Sequence, residues 1–339
     1  MYLMKVWDHH LLILMWINLT SMIEITLNKN QGNQRFDRFL RKYFENAPLS
    51  VIQKNIRKKN FKINDKRAKA DDYVYENDKI KMYISDENYD RWLTKTDFKA
   101  SDFNLDIVYE DKNIIIMDKE SGLLTHSSKK QDYGHNLVDN MLSYLYKTNQ
   151  VDKSDRTFNP AVVNRLDRNT AGLIIGAKNA DALRSLNKAI RENKISKYYL
   201  TLVKGEIKEA FTIDTRISKN ENKNKIKSSR DGSRIITNFR PLETNHKYTL
   251  LECELITGKT HQIRYSLKKN GTPIIGDRKY GDKQTNDFVS EKFGINNQVL
   301  LAYKIKFDDI DKINYLKDKV FKSKKIDDIE KLKNALFKI

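Results

Sequence analysis

Two periods alternate along the chain. Ile23, Ile25 and Leu27 fall on every second position and predict an edge strand, whereas Phe36, Phe39, Leu40 and Tyr43 recur at helical spacing and predict one apolar helix stripe. After Pro48, Ser50 followed by Gln53 has the form of a capping box and predicts a second short helix with Ile52 and Ile56 inward. Alternation returns at Phe61 and Ile63, breaks at a polar turn of Asn64 and Asp65, and resumes at Ile80, Met82 and Ile84. Two helices and a small sheet within 22–85 predict an independent module. Residues 86–105 are polar and unpatterned and read as a linker.

A second domain, 106–325, opens with Ile107, Val108 and the apolar run Ile114 to Met117, a buried strand by length and β-branched content. LIIGA after Gly172 predicts another strand, and Asn179 predicts the cap of a helix carrying Leu183, Leu186 and Ile190. From Tyr198 the chain reads mostly as strand, through YTLLECEL. Between Ser218 and Arg234 six basic and two acidic residues leave almost nothing apolar, which predicts a mobile loop between strands. Residues 326–339 read as a tail. The fold class expected is α+β.

The first 21 residues differ from the rest, because Leu11 to Leu19 is apolar except for Asn18. That run is too short to span a bilayer and lacks the flanks of a secretory signal. The preferred account starts translation at Met22 and treats 1–21 as a start-site artefact; a weak membrane or partner anchor is the alternative.

Composition narrows the partners. A chain of 339 residues that is 39% apolar can bury one large core or two domains. Its single cysteine, Cys253, excludes an internal disulfide and a thiolate zinc cluster, and fits a core position in a reducing cytoplasm. Sixty-four Lys and Arg against 45 Asp and Glu give a net charge of +19, for which a polyanion is the natural partner. Lysine is scattered throughout, so clustering decides: Arg57, Lys58, Lys59, Lys62, Lys66, Arg67 and Lys69 surround one acid, Asp65. The alternative for that cluster is a solvated helix end.

Two polar clusters stand out within apolar, strand-like surroundings: NRLDRNTAG at Asn164 to Gly172 and TGKTHQIR at Thr257 to Arg264. Buried polar groups there need partners or a task. Read alone, Arg165 and Asp167 lie two apart on one side of a strand and make a plain ion pair. His126 and His261 are not spaced with any other ligand for a metal, so no metal is expected. Gly271 and Gly276 lack the strand and helix of a phosphate loop and read as turn residues.

Together with KESGLLTHS at Lys119 to Ser127, these runs resemble the three sequence blocks of the RluA family of pseudouridine synthases. The family block reads HRLD, two residues, then Thr-Ser-Gly; here Asn164 replaces its histidine and Ala171 its serine. The resemblance continues through Tyr199 in KYYLTLVKG and LLAYKIKF at Leu300 to Phe307, where Leu301 replaces a histidine, and spans about Gln34 to Phe321. The basic module resembles the αL-type RNA-binding domain, with Asp65 replacing the glycine of its turn.

The resemblance implies a catalytic domain on a long, mostly antiparallel mixed sheet, converting uridine to pseudouridine with no cofactor. It assigns Asp167 as the catalytic carboxylate, Arg264 as the partner that keeps it ionised, and Tyr199 as the residue against the target base. Arg168 would fill the gap left by the flipped nucleotide, with Arg165, Thr170, His261 and Gln262 also on the substrate and Lys58, Lys59 and Lys62 binding RNA. Large-subunit ribosomal RNA is the implied substrate, met by a cytoplasmic monomer with no membrane partner. A non-catalytic RNA-binding or ribosome-assembly factor of the same fold is the second reading, favoured by Asn164. A nuclease would need clustered carboxylates, which the sequence lacks.

Overall fold

The computed structural model describes residues 22–93, 104–152, 155–220 and 225–339. The 1–21 segment, on which the start-site reading falls, lies outside them. The chain divides into two compact units: 1–98 with 152–159, and 99–151 with 160–339. Each is described on its own.

In the first unit, β1 (Met22–Thr26) lies at the edge of a four-stranded sheet of order β1-β6-β3-β4, with β3 at Phe61–Ile63, β4 at Lys66–Arg67 and β6 at Lys79–Tyr83. Gln34–Arg35 (β2) pairs with Tyr73–Val74 (β5). Helix α1 (Phe36–Tyr43) buries Phe36, Phe39, Leu40 and Tyr43, the stripe its spacing predicts. Helix α2 (Leu49–Arg57) buries Ile52 and Ile56, but the expected capping box does not form. Its N-cap is Pro48, which places Ser50 already inside the first turn. The β3–β4 turn runs through Asn64 and Asp65 at φ 47° and 66°. Both central residues of this two-residue hairpin are left-handed, and Asn and Asp tolerate that conformation best after glycine.

The expected linker is partly ordered into this unit. Asp86–Trp92 forms α3, capped by the Ser85 hydroxyl, and Trp92 packs edge-on against Phe44 at 5.5 Å. A polar stretch concealed one deep anchor. Residues 152–159, assigned by sequence to the catalytic domain, also cluster with the first unit.

The second unit is built on an eleven-stranded sheet whose main path runs β13-β12-β14-β15-β11-β16-β10-β8-β7. Its strands are β7 (Ile107–Glu110), β8 (Ile114–Lys119), β9 (Ala161–Val162), β10 (Ala171–Ala177), β11 (Ile195–Lys204), β12 (Phe211–Asn220), β13 (Lys225–Ser228), β14 (Ser233–Thr244), β15 (Tyr248–Leu255), β16 (Leu300–Phe307) and β17 (Val320–Lys322). Every pairing is antiparallel except β10 with β16, as the expected mixed sheet requires. β8 is buried along its length, and one sheet face packs on α4 (Leu137–Lys147) through Met141 and Leu145. Helix α5 (Ala180–Arg191), capped by the Asn179 side chain onto Ala182 N–H at 2.9 Å, covers other strands through Leu186 and Ala189.

Three expectations need correction. The basic stretch Ser218–Arg234 is not a bare loop, because Lys225–Ser228 pairs in register with Ile217–Asn220 and extends the sheet. Its ladder with β12 and a hydrogen bond from Ile226 N–H to the Tyr280 hydroxyl hold that strand, so its poor apolar content did not reveal it. The HQIR block is not strand-like: α6 (Gln262–Lys269) begins there. Finally, the tail carries α8 (Ile326–Phe337), whose Leu336 is buried with Leu250, Val289 of α7 (Lys283–Phe293) and Val299.

Candidate active site

Asp167 sits in the turn that feeds β10, and the first motif block holds that turn in place. The Lys119 ammonium donates to the carbonyls of Glu120, Leu123 and Arg168 at 2.8, 2.7 and 2.9 Å. Thr125 donates its hydroxyl to Leu166 O at 3.0 Å, Ser121 donates to Asn169 O at 3.0 Å, and Gly122 N–H donates to Arg168 O at 2.9 Å. Burial lowers the Lys119 pKa to about 8, against the opposing charges of Asp167 and Glu120.

Asn164, where the family has histidine, ties the start of the turn to β10. Its amide donates to Leu173 O at 3.1 Å and its oxygen accepts from Ile175 N–H at 2.8 Å. On the far side, Gly172 at φ 116° lets β10 approach β16, since a Cβ there would lie 2.3 Å from Ala302 O.

Arg264 reaches Asp167 from α6. Its Nη1 donates to Asp167 Oδ2 at 2.8 Å, while Nε and Nη2 hold both oxygens of Asp277 at 2.7 and 2.9 Å. Asp277 is fully buried, and its Oδ1 also accepts from Lys279 and Tyr280 N–H. One guanidinium therefore bridges two carboxylates with its planar fork. Burial alone would lower the Arg264 pKa, but the two carboxylates outweigh it and raise it. Asp277 is pushed up by burial and further down by Arg264, with a net fall. His261, at φ 55° before α6, places Nε2 3.7 Å from Asp167 Oδ2.

Asp167, Arg165, Arg168, His261 and Arg264 line one cavity of about 510 Å³, together with His126 and Gln298. Tyr199 does not line it. That phenol is buried in the apolar cluster with Leu166, Cys253 and Ala302, and its pKa is raised by burial first and the Asp167 charge second.

Two expected substrate contacts are instead committed to the protein. Gln262 accepts from the Thr257 hydroxyl and Lys259 N–H and donates to Ile236 O and the Thr237 hydroxyl, so both ends of its amide are used. Thr170 is buried and takes a 3.3 Å hydrogen bond from Gln298. Lys58, Lys59 and Lys62 lie in the first unit, the first two exposed, and Lys62 stands over the Tyr83 ring at 5.2 Å. Among the described residues no group of His, Cys, Asp and Glu is placed to hold a metal, and no helix is long and apolar enough to cross a membrane.

Residues 113–269 match the family model described as RNA pseudouridylate synthase. Over 289 residues the chain is 34% identical to the ribosomal large subunit pseudouridine synthase C of Buchnera aphidicola subsp. Baizongia pistaciae, covering 84% of this chain and 88% of that protein. The chain belongs to the RluA family of RNA pseudouridine synthases. An uncharacterized RNA pseudouridine synthase of Mycoplasma capricolum subsp. capricolum is 35% identical across 88% of this chain and 96% of its own length. Another ribosomal large subunit pseudouridine synthase C, from Vibrio cholerae, is 30% identical across 85% and 89%. As a pseudouridine synthase the chain is an isomerase, and its substrate is RNA.

Asp277, Tyr280 and Gln298 escaped sequence reasoning. Asp277 and Tyr280 lie in NGTPIIGDRKYG, where the glycines alone carried a reading, and Gln298 lies just before LLAYKIKF.

Proposed function

We propose that this pseudouridine synthase acts through Asp167 on uridines of large-subunit ribosomal RNA in the cytoplasm. The reaction breaks the C1′–N1 bond, turns the base and joins C1′ to C5; C5 gives up its proton and N1 gains one, so no electrons or atoms are exchanged with another reagent. Such chemistry needs a held carboxylate and a cavity that excludes water from the intermediate. The observation carrying the reading is the contact of Arg264 with Asp167 Oδ2 at 2.8 Å, in a cavity that Asp167 also lines. Its Oδ1 accepts no hydrogen bond from the described residues and is the oxygen available to substrate.

The family resemblance assigns Tyr199 to the base side, where it takes part when the C5 proton leaves, although its phenol lies in the apolar cluster next to the cavity wall formed by Leu166 and does not line the cavity itself. Arg165 and Arg168, both exposed at the rim, meet phosphate or the gap left by the flipped nucleotide. The named large-subunit relatives support the substrate, and Lys58, Lys59 and Lys62, none of which forms an ion pair among the described residues, support the first unit as an RNA-binding module. Asn164, the departure that favoured a non-catalytic factor, serves the loop through its two hydrogen bonds to β10.

The test is Asp167→Asn with tritium release from 5-labelled uridine in large-subunit RNA. Loss of about four orders of magnitude in turnover is expected, with RNA binding retained. Unchanged turnover would remove Asp167 from the chemistry.

A further inference from the structure

His261 keeps a left-handed backbone that a non-glycine residue holds only when its surroundings enforce it. Its ring stands between two oxygens. Nδ1 is 3.1 Å from the Tyr280 hydroxyl and Nε2 is 3.7 Å from Asp167 Oδ2. The Tyr280 hydroxyl also accepts from Ile226 N–H of β13 at 3.0 Å, and Tyr280 is only 3% exposed.

These contacts favour one placement of the protons. A phenol has one proton to donate, and the Ile226 amide cannot take it. Among the described residues His261 Nδ1 is the acceptor that faces this proton; with the phenol as donor Nδ1 is the bare nitrogen, and in a neutral imidazole the hydrogen then sits on Nε2. The alternative tautomer would strand a buried hydroxyl proton and turn a nitrogen lone pair toward a carboxylate.

We propose that Tyr280 is a positioning residue that fixes His261 as its Nε2–H tautomer, presenting a hydrogen-bond donor to an acceptor oxygen of the bound uridine beside Asp167. The proposal rests on the reading of this cavity as the uridine site. The 3.7 Å separation is too long for a hydrogen bond to Asp167, whose Oδ2 already accepts from Arg264, so the donor remains available to a ligand. Burial, then Arg264 and Lys279, hold the His261 pKa below its ordinary value against Asp167 and Asp277, which keeps the ring neutral. Tyr280 is itself fixed from two sides: its N–H bonds Asp277 at 3.0 Å, and its ring lies under the Arg264 guanidinium at 5.3 Å. The turn that clamps Arg264 thus also orients the histidine.

The experiment combines nitrogen-15 imidazole spectra of the full chain with turnover of uridine in RNA. The parent should show a protonated Nε2 and a bare Nδ1, and Tyr280→Phe should show both tautomers mixed. Tyr280→Phe should lower kcat about tenfold with RNA affinity unchanged, and should cost less than about twofold in a His261→Ala background. His261→Gln serves as the background if the alanine variant does not fold. A protonated Nδ1 in the parent, or an equal kinetic loss in both backgrounds, would overturn the proposal. A parent with the Nε2–H tautomer but no uridine turnover would sink the activity reading and the substrate role of His261, while the tautomer itself stood.

Discussion

Arg264 is the residue on which two others depend. Removing its charge strands Asp277, whose side chain has no exposure, so Arg264→Leu is expected to cost about 3–5 kcal/mol in urea unfolding. Arg264→Lys cannot span both carboxylates and should retain fold better than turnover. His126 and His261 make the protein acid-sensitive. Burial foremost lowers both pKa values below the ordinary 6.5, with neighbouring arginines adding to it. The unfolded chain therefore binds protons first on acidification: stability is full above about pH 7 and falls as pH drops through 6.5 toward the folded values. Thermal midpoints at pH 7.5 and 5.5 should differ less in His126→Gln than in the parent; an equal gap would clear His126 of that role. At this scale the resemblance of the motif blocks singled out Asp167 and Arg264, because the residues read alone allowed a plain ion pair of Arg165 with Asp167. Asp277 was hidden because a single buried carboxylate looks like any loop aspartate until its cation is found.

The turn from Asn164 to Thr170 has no regular structure of its own, and its shape comes from KESGLLT. Lys119→Met would leave three carbonyls without their ammonium donor, at a cost on the order of 3 kcal/mol or more. Faster hydrogen exchange at Gly122 and Thr170 would localise the damage; unchanged protection there would show that other bonds suffice. Periodicity revealed α1, α5, β8 and β10, whose apolar positions are each buried in a core of their own unit. It failed where backbone or a few anchors decide: β13 is held by its ladder, α3 by Trp92, and α8 by one apolar stripe at the end of a polar stretch. The HQIR block deceived for a related reason, since a left-handed His261 starts a helix where the preceding alternation suggests more strand.

For the whole molecule, the proposal that the first unit binds RNA rests on charge. None of Lys58, Lys59 and Lys62 forms an ion pair among the described residues, so they are free to displace counterions from RNA. Replacing all three by Gln should reduce the slope of log K against log salt by about 2 for single-stranded RNA, with kcat at saturating RNA retained. An unaltered slope would reduce the cluster to solvation. The large sheet adds a constraint in time. Asp167 and Arg264 are 97 residues apart, and the turn before β10 is braced by the parallel contact of Ala171 and Gly172 with Leu301 and Ala302. A nascent chain still lacking β16 has no finished pocket, so modification must wait until nearly the last strand has left the ribosome that makes it.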